Sequence, residues 1–162
     1  LAGEFSVLSQ LALRGYDANM TLGHTKNVDI LVSDPASGKM LQLEVKTSLN
    51  QKPSRSKKFG RVLQWVMKEK HEVIDQPNLF YCFVDLQNER EHKTRYFIIP
   101  SEVVAQFVKK SHKWWLQEDG SHQDTKMRKF MLSLDASDCP VPTPLADQYE
   151  DNWDFRSNGL KD

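Results

Sequence analysis

Residues 28–47 read VDILVSDPASGKMLQLEVKT, and this stretch decides the fold. Two apolar runs, 28–32 and 40–47, flank residues 34–38 (DPASG), which have the composition of a tight turn. In the second run apolar and polar residues alternate, as they do in a strand with one buried face. The stretch therefore predicts an antiparallel β-hairpin. Its buried face is expected to carry Leu41, Leu43 and Val45.

The length of the loop sets the register of this hairpin. A four-residue loop at 35–38 places Asp29 opposite Glu44. Directly opposed residues point to the same face of a sheet with their Cβ atoms about 5 Å apart, and Lys46, two residues further on, joins that face. A shift of one residue would separate these side chains. The predicted register therefore brings two carboxylates and an ammonium together at the end of a strand.

The rest of the chain predicts further strands and helices around the hairpin. The run 79–86 (LFYCFVDL) is almost continuously apolar, which is typical of a strand buried on both faces. Helices are expected at 5–14, at 61–74 and from Ser101, which is a candidate cap; further strands are expected at 16–20, 95–99 and 127–134. This order predicts an α/β fold, a mixed sheet flanked by helices.

Length and composition indicate one compact domain and no membrane helix. The chain has 162 residues, 39% of them hydrophobic and 27% charged, and no apolar stretch approaches the roughly 18 residues that a membrane helix needs. Two cysteines are too few for a disulfide framework, and no signal peptide is visible, so a cytoplasmic location is expected. We predict a domain over 1–134 and an acidic, proline-containing tail over 135–162.

A net charge of zero hides a strong gradient along the chain. Residues 52–61 (KPSRSKKFGR) include five basic residues and no acidic one, whereas residues 135–162 include seven acidic and two basic ones. A basic run beside a candidate site favours a polyanionic partner such as a nucleic acid. A solvated loop is the alternative interpretation. The five candidate contact residues are Lys52, Arg55, Lys57, Lys58 and Arg61.

The chemistry expected of Asp29, Glu44 and Lys46 is that of a cation site. Adjacent carboxylates repel each other unless a cation is shared, and oxygen ligands favour Mg²⁺ or Mn²⁺ over zinc. Such an ion lowers the pKa of bound water and offsets charge on a phosphate, and Lys46 would help to orient that water. Glu4, in the first helical turn, is a candidate outer member. The alternative is a structural ion pair on a solvated face.

Other features give weaker signals. Residues 109–115 (KKSHKWW) mix cations with aromatic rings, but we favour a basic last helical turn with tryptophans packed on the core. Gln64 and Lys68, one helical turn apart, could reach a substrate strand, but we favour plain surface positions for them. The histidines lack paired ligand spacing, which argues against zinc. They are His24, His71, His92, His112 and His122.

The order and spacing of several short motifs resemble the PD-(D/E)XK nuclease superfamily, which includes restriction endonucleases and archaeal Holliday-junction resolvases. The resemblance covers roughly residues 3–110. Gly3-Glu4 opens a helix, residues 28–32 (VDILV) carry the first acidic residue, and residues 43–48 (LEVKTS) carry the acid-x-Lys motif. One departure is Val28, which stands where the family commonly has proline.

The resemblance implies a restriction-endonuclease-like αβββαβ core and Mg²⁺-dependent hydrolysis of phosphodiester bonds in DNA, with Mn²⁺ as a substitute. It implies that Asp29, Glu44 and the Val45 carbonyl bind the metal, that Lys46 assists the water and that Glu4 is the acidic residue on the helix. Many such folds cut as dimers, so a homodimer is one expected arrangement. Many relatives have lost activity, which leaves a silent nucleic-acid-binding or assembly module, or a protein-interaction domain, as alternatives.

Overall fold

The computed structural model describes residues 1–21, 27–135 and 138–158. In chain order its elements are α1 (Ala2–Leu13), β1 (Asp17–Met20), β2 (Ile30–Ser33), β3 (Met40–Leu49), β4 (Ser54–Ser56), β5 (Gly60–Lys68), a 3₁₀ helix (Glu69–Glu72), β6 (Leu79–Leu86), β7 (Arg95–Pro100), α2 (Ser101–Glu118), β8 (Met127–Ser133) and α3 (Ala146–Tyr149).

The larger of two sheets has five strands in the order β1-β2-β3-β6-β7. β3 lies at its centre, antiparallel to β2 and parallel to β6, and the other neighbouring strands are antiparallel. Because β3 and β6 run in the same direction, the chain must cross over between them. The sheet is therefore mixed and is flanked by helices, which confirms the predicted fold class.

The register predicted for the β2–β3 hairpin is confirmed. Ile30 lies opposite Leu43, and the pairing continues without a slip to the end of β2. Asp34 closes the turn: its N–H donates to the Lys39 carbonyl at 2.9 Å, and its carboxylate accepts from the Ser37 hydroxyl at 2.6 Å. Short polar side chains that bond to nearby groups are the usual means of fixing such a turn. The turn sequence thus sets the position of every residue on β3 relative to β2.

The helix predicted at 61–74 is wrong, because this segment forms β5 followed by the 3₁₀ helix. Leu63, Trp65 and Met67 are buried and alternate with more exposed residues, so the segment follows the period of a strand. A helix over this segment would be expected to bury Val62, Val66 and Val73 on one side, but Val66 and Val73 are 68% and 77% exposed. The segment is rich in β-branched and aromatic residues, which favour strands. Its apolar spacing also fits a helix, but the strand preference of these residues prevails.

β5 belongs to a second sheet of three strands, in the order β4-β5-β8. The basic run at 52–61 is therefore mostly the β4–β5 hairpin and not a loop. β8 pairs antiparallel with β5 along its whole length, which confirms the strand predicted at 127–134. This sheet places β5, and the turn that follows it, against one face of the larger sheet.

β6 is buried on both faces, as predicted, and separates two hydrophobic clusters. Phe80, Cys82 and Val84 face the cluster that contains α1, whereas Tyr81 and Phe83 face the cluster that contains α2 and the second sheet. Each large apolar side chain buried in this way contributes roughly 1.5–3 kcal/mol to folding. The larger sheet is thus a middle layer with apolar partners on each side.

α1 packs on the larger sheet through a stripe formed by Gly3, Val7 and Leu11, all of which are buried. The apolar spacing of this helix predicts a buried stripe through Phe5, Leu8 and Ala12, but Phe5 is 59% exposed, so the helix is rotated from the predicted position. The stripe includes Gly3 because the first turn of α1 lies very close to β3. A Cβ on Gly3 would overlap the side chain of Thr47. This contact fixes the start of α1 over the end of β3.

The described part of the predicted tail packs on both sides of the larger sheet. Val141 and Ala146 belong to the cluster around α2, and Trp153 and Phe155 belong to the cluster around α1. A domain boundary at residue 135 stays a prediction.

Within the described residues, no helix has the length and apolar character needed to span a membrane. Ser101 does not cap α2 through its side chain; its hydroxyl bonds to the backbone of Gln76.

Candidate active site at the end of the β2–β3 hairpin

Asp29 immediately precedes β2 and bonds to the backbone of β3. Its Oδ2 accepts a hydrogen bond from the Val45 N–H at 2.7 Å. The hydrogen-bonded pairing of β2 with β3 begins at Ile30 and Leu43, so the β3 backbone beyond that point needs another partner on this side. The carboxylate supplies it. Asp29 is therefore held beside the Glu44-Val45-Lys46 motif, as the predicted register requires.

Glu44 is buried on β3 with only 3% of its surface exposed. Its Oε1 accepts hydrogen bonds from the Lys46 ammonium at 2.5 Å and from His71 Nε2 at 3.2 Å. Its Oε2 is buried and has no hydrogen-bond partner among the described residues. Tyr81 lies next to Glu44 on β6, and its buried hydroxyl is likewise unpartnered within the described part of the chain. One oxygen of the carboxylate thus accepts two hydrogen bonds, whereas Oε2 makes none of normal geometry, although the Tyr81 hydroxyl senses the charge of Glu44.

The pKa values of the two carboxylates move in opposite directions. Burial alone would raise the pKa of Glu44, but hydrogen bonds from His71 and Lys46 and the charge of Lys46 hold it at about 2. Burial raises the pKa of Asp29, and the negative charges of Glu44 and Glu4 add to this effect against the Val45 hydrogen bond and Lys46. A cation shared by these groups would reverse the shift of Asp29.

Glu4, Glu44 and Lys46 each lie near enough to Asp29 to affect its pKa, so the four predicted side chains share one region of the structure. Glu4 reaches the group from the first turn of α1, which Gly3 allows to approach β3. Val45 is adjacent through its backbone N–H. The sequence missed two neighbours, His71 and Tyr81. His71 lies 27 positions from Glu44 inside the segment predicted as a helix, and no spacing in the sequence identifies it.

No group of three His, Cys, Asp or Glu side chains suited to a metal ion occurs in residues 1–21, 27–135 and 138–158. Mg²⁺, however, usually retains several waters and takes only one or two protein carboxylates. A buried, ionised carboxylate with an unused oxygen beside a second carboxylate fits that requirement. His24 lies outside the described residues.

The five predicted nucleic-acid-binding residues are exposed on or beside the β4–β5 hairpin. They differ in their partners. Arg61 makes two hydrogen bonds to Asp135, each 3.0 Å, and Lys58 pairs with Glu118. No ion pair involves Lys52, Arg55 or Lys57 among the described residues, and Arg55 lies opposite Arg61 on the neighbouring strand. Two of the five cations are therefore already neutralised by the chain itself.

Part of the other basic and aromatic segment, 109–115, lines a separate cleft of about 390 Å³, through Ser111, His112, Trp114 and Trp115. Trp114 packs edge-on against Phe59, and Trp115 stacks on His122 at 3.9 Å. Trp114 packs on the core cluster, as the sequence interpretation expects. The predicted basic last turn is wrong, because α2 continues to Glu118 and its last turn carries no basic residue. Gln64 and Lys68 lie on β5, so the helical turn expected to align them is absent from this segment.

No model of a protein family and no curated protein matches the chain. Among solved structures, the chain is similar to a bacterial homing endonuclease, I-Ssp6803I, with 14% sequence identity and a TM-score of 0.49. The superposition covers 97% of this chain and 88% of that chain.

Proposed function

We propose that this chain is a metal-dependent nuclease that hydrolyses phosphodiester bonds in DNA. The observation that carries the proposal is the Glu44 carboxylate, which is buried and ionised and leaves Oε2 unpartnered within the described residues, next to Asp29 and Lys46. A buried charged oxygen without a partner is costly, so it marks a place where a cation or a substrate group is expected.

In the proposed site, Asp29 and Glu44 would hold Mg²⁺ or Mn²⁺, and the Val45 carbonyl is a third candidate ligand. When bound, the ion would activate a water molecule and offset the charge that grows on the phosphate. Lys46 donates to Glu44 Oε1 and remains 26% exposed, so its ammonium can also face a substrate phosphate or orient the attacking water. Glu4 adds negative charge at the edge of the site.

The exposed cations of the β4–β5 hairpin would hold the nucleic acid near this site. Lys52, Arg55 and Lys57 are exposed and make no ion pair in the described part of the chain, so binding a phosphate would cost them only hydration and side-chain entropy. Lys58 and Arg61 would first have to break their ion pairs with Glu118 and Asp135. The proposal therefore assigns most of the electrostatic contact to the first three residues.

Cleavage of supercoiled plasmid DNA in Mg²⁺ tests this function. We expect Glu44→Gln, Asp29→Asn and Lys46→Met each to lower the cleavage rate by at least about 100-fold, because each removes a charged group from the reacting centre. The chain offers a matched control in the acid-x-Lys tripeptide Glu91-His92-Lys93, which is exposed. Glu91→Gln with Lys93→Met should leave the rate unchanged. Full activity in Glu44→Gln would refute the proposal.

A silent nucleic-acid-binding module is the second candidate. The observation that favours it is the Glu44–Lys46 ion pair, which satisfies part of the carboxylate without any metal. Such a module would bind nucleic acid with a strong dependence on salt but would not cleave it or bind Mn²⁺. A titration with Mn²⁺ in the presence and absence of a DNA duplex separates the two functions.

A further inference from the structure

His71 is a buried side chain that contacts the candidate site from outside β2 and β3. It is 2% exposed and lies in the 3₁₀ helix that follows β5. Its ring is fixed on three sides. Nδ1 lies 2.9 Å from the backbone nitrogen of Lys68 and 3.0 Å from its carbonyl oxygen, the ring edge packs on Tyr81 at 5.9 Å, and Nε2 lies 3.2 Å from Glu44 Oε1.

The donors around Glu44 determine which nitrogen of His71 carries a proton. The Lys46 ammonium can only donate, so Oε1 acts as an acceptor in that contact. An acceptor oxygen requires a donor at His71 as well, and Nε2 must therefore carry a hydrogen. The contacts of Nδ1 with the Lys68 backbone hold the ring in the orientation that points Nε2 at Glu44.

Two donors on one oxygen leave the second oxygen for another partner. Rotation of the carboxylate would break the bonds to His71 and Lys46 together, so the two donors hold Oε2 in a single position. Burial, together with the Glu44 carboxylate that it faces, raises the pKa of the Tyr81 hydroxyl, but this hydroxyl makes no hydrogen bond of normal geometry to Oε2. A metal-bound carboxylate is commonly oriented in this way by a hydrogen bond to its other oxygen.

We propose that His71 is a positioning residue that orients the Glu44 carboxylate so that Oε2 faces the divalent cation. This inference rests on the proposed function, because it assumes that Glu44 is a metal ligand. His71 touches neither the substrate nor the ion; it acts through Glu44. It also links the site to the second sheet, since the ring is held by the last residue of β5.

The first test measures Mn²⁺ affinity by electron paramagnetic resonance, with no substrate present. We expect His71→Leu, which keeps a buried apolar volume but removes the donor, to weaken Mn²⁺ binding about 10–100-fold. His71→Gln retains an N–H donor and should recover most of the affinity. His92→Leu is the matched control, because His92 also faces a glutamate, Glu89, but in an exposed loop. Duplex binding in EDTA should be equal in all four proteins.

The outcomes separate this inference from the proposed function. If the wild-type protein binds no Mn²⁺, both fail. If the wild-type protein and His71→Leu bind Mn²⁺ equally, the positioning role alone is refuted and the nuclease proposal stands. Equal loss in His71→Leu and His71→Gln also overturns it, because the donor would then be irrelevant.

A second measurement needs no variant at position 71. Long-range ¹H–¹⁵N spectra of the wild-type protein should show the His71 ring protonated at Nε2, and Mg²⁺ should shift these resonances. Glu44→Gln should abolish the shift produced by Mg²⁺. A His71 ring protonated only at Nδ1, or ring signals that do not respond to bound Mg²⁺, would contradict the inference.

Discussion

The Asp29 carboxylate accepts the hydrogen bond from the Val45 N–H that a neighbouring strand would otherwise accept. Asp29 is thereby brought beside Glu44 in a partly buried position where its pKa is raised. Glu44 has the opposite environment, with two donors on Oε1 and a pKa of about 2. Such a pair, one carboxylate pushed towards its neutral form and one held ionised, is typical of sites that bind cations or move protons.

Gly3 gives a prediction at the scale of one residue. A Cβ at this position would overlap the side chain of Thr47 on β3, so we expect Gly3→Ala to lower the free energy of unfolding by about 1–3 kcal/mol. Because α1 carries Glu4, the same change should also reduce cleavage. Urea denaturation measures the first effect.

The controls for this prediction lie within the chain. Thr47→Ala removes the hydroxyl that a Cβ on residue 3 would meet and should restore part of the stability lost in Gly3→Ala. Gly120→Ala should have little effect, since no heavy atom lies within 4 Å of the added Cβ. A Gly3→Ala protein as stable as the wild type would show that the first turn of α1 does not depend on this contact.

At the scale of elements, the sequence predicted the hairpin that carries the site and most other strands and helices, but not β4, β5 and the 3₁₀ helix. The register of β2 and β3 follows from a short turn and strict alternation, both of which are local. The sequence of residues 61–74 predicts a helix as readily as a strand, because its valines and leucines have a spacing that satisfies either period. Pairing with β8, about 65 positions away in sequence, is a non-local contribution that adds to the strand preference of its residues. His71 was missed for the same reason.

The β4–β5 hairpin gives the prediction at this scale. Lys52→Ala with Lys57→Ala should lower the slope of log K against log salt for duplex binding by about 2, because two unpaired cations no longer displace counterions. Lys58→Ala with Arg61→Ala should lower it less, since those cations are paired with Glu118 and Asp135. Fluorescence anisotropy over a range of salt concentrations measures both slopes. An equal or larger effect of the second pair would contradict the assignment.

At the scale of the molecule, the larger sheet is covered on one face by α1 and on the other by α2 and the second sheet. The C-terminal residues complete both layers, and Arg156 bonds to Asp34 in the β2–β3 turn at 2.6 and 3.0 Å. The residues that anchor the tail, Trp153 and Phe155, lie in an acidic and proline-containing segment whose composition gave no indication that they are buried. That contact is non-local and could not be derived from the sequence.

Asp34 gives a prediction for the whole molecule as a function of pH. Hydrogen bonds from Ser37 and Arg156 hold the pKa of Asp34 at about 2, below the value of about 3.9 in an unfolded chain. A lowered pKa stabilises the folded protein at pH values above the unfolded-state pKa, and this contribution is lost as the pH falls towards 2. Asp34→Asn should therefore be less stable than the wild type at pH 7, with a difference that shrinks between about pH 4 and pH 2.

Urea denaturation at a series of pH values checks this result. Arg156→Gln should show a smaller loss than Asp34→Asn, because the bonds of Asp34 to Ser37 and Ala36 remain. If the difference between Asp34→Asn and the wild type stayed constant from pH 7 to pH 2, Asp34 would not contribute through its charge.

The most direct measurement is a crystal structure of the protein soaked in Mn²⁺, with anomalous difference density used to locate the ion. The proposed function predicts one strong peak at bonding distance from Glu44 Oε2 and from a carboxylate oxygen of Asp29, with Lys46 beside it. A protein that binds Mn²⁺ elsewhere, or shows no peak between these two carboxylates, would contradict the account.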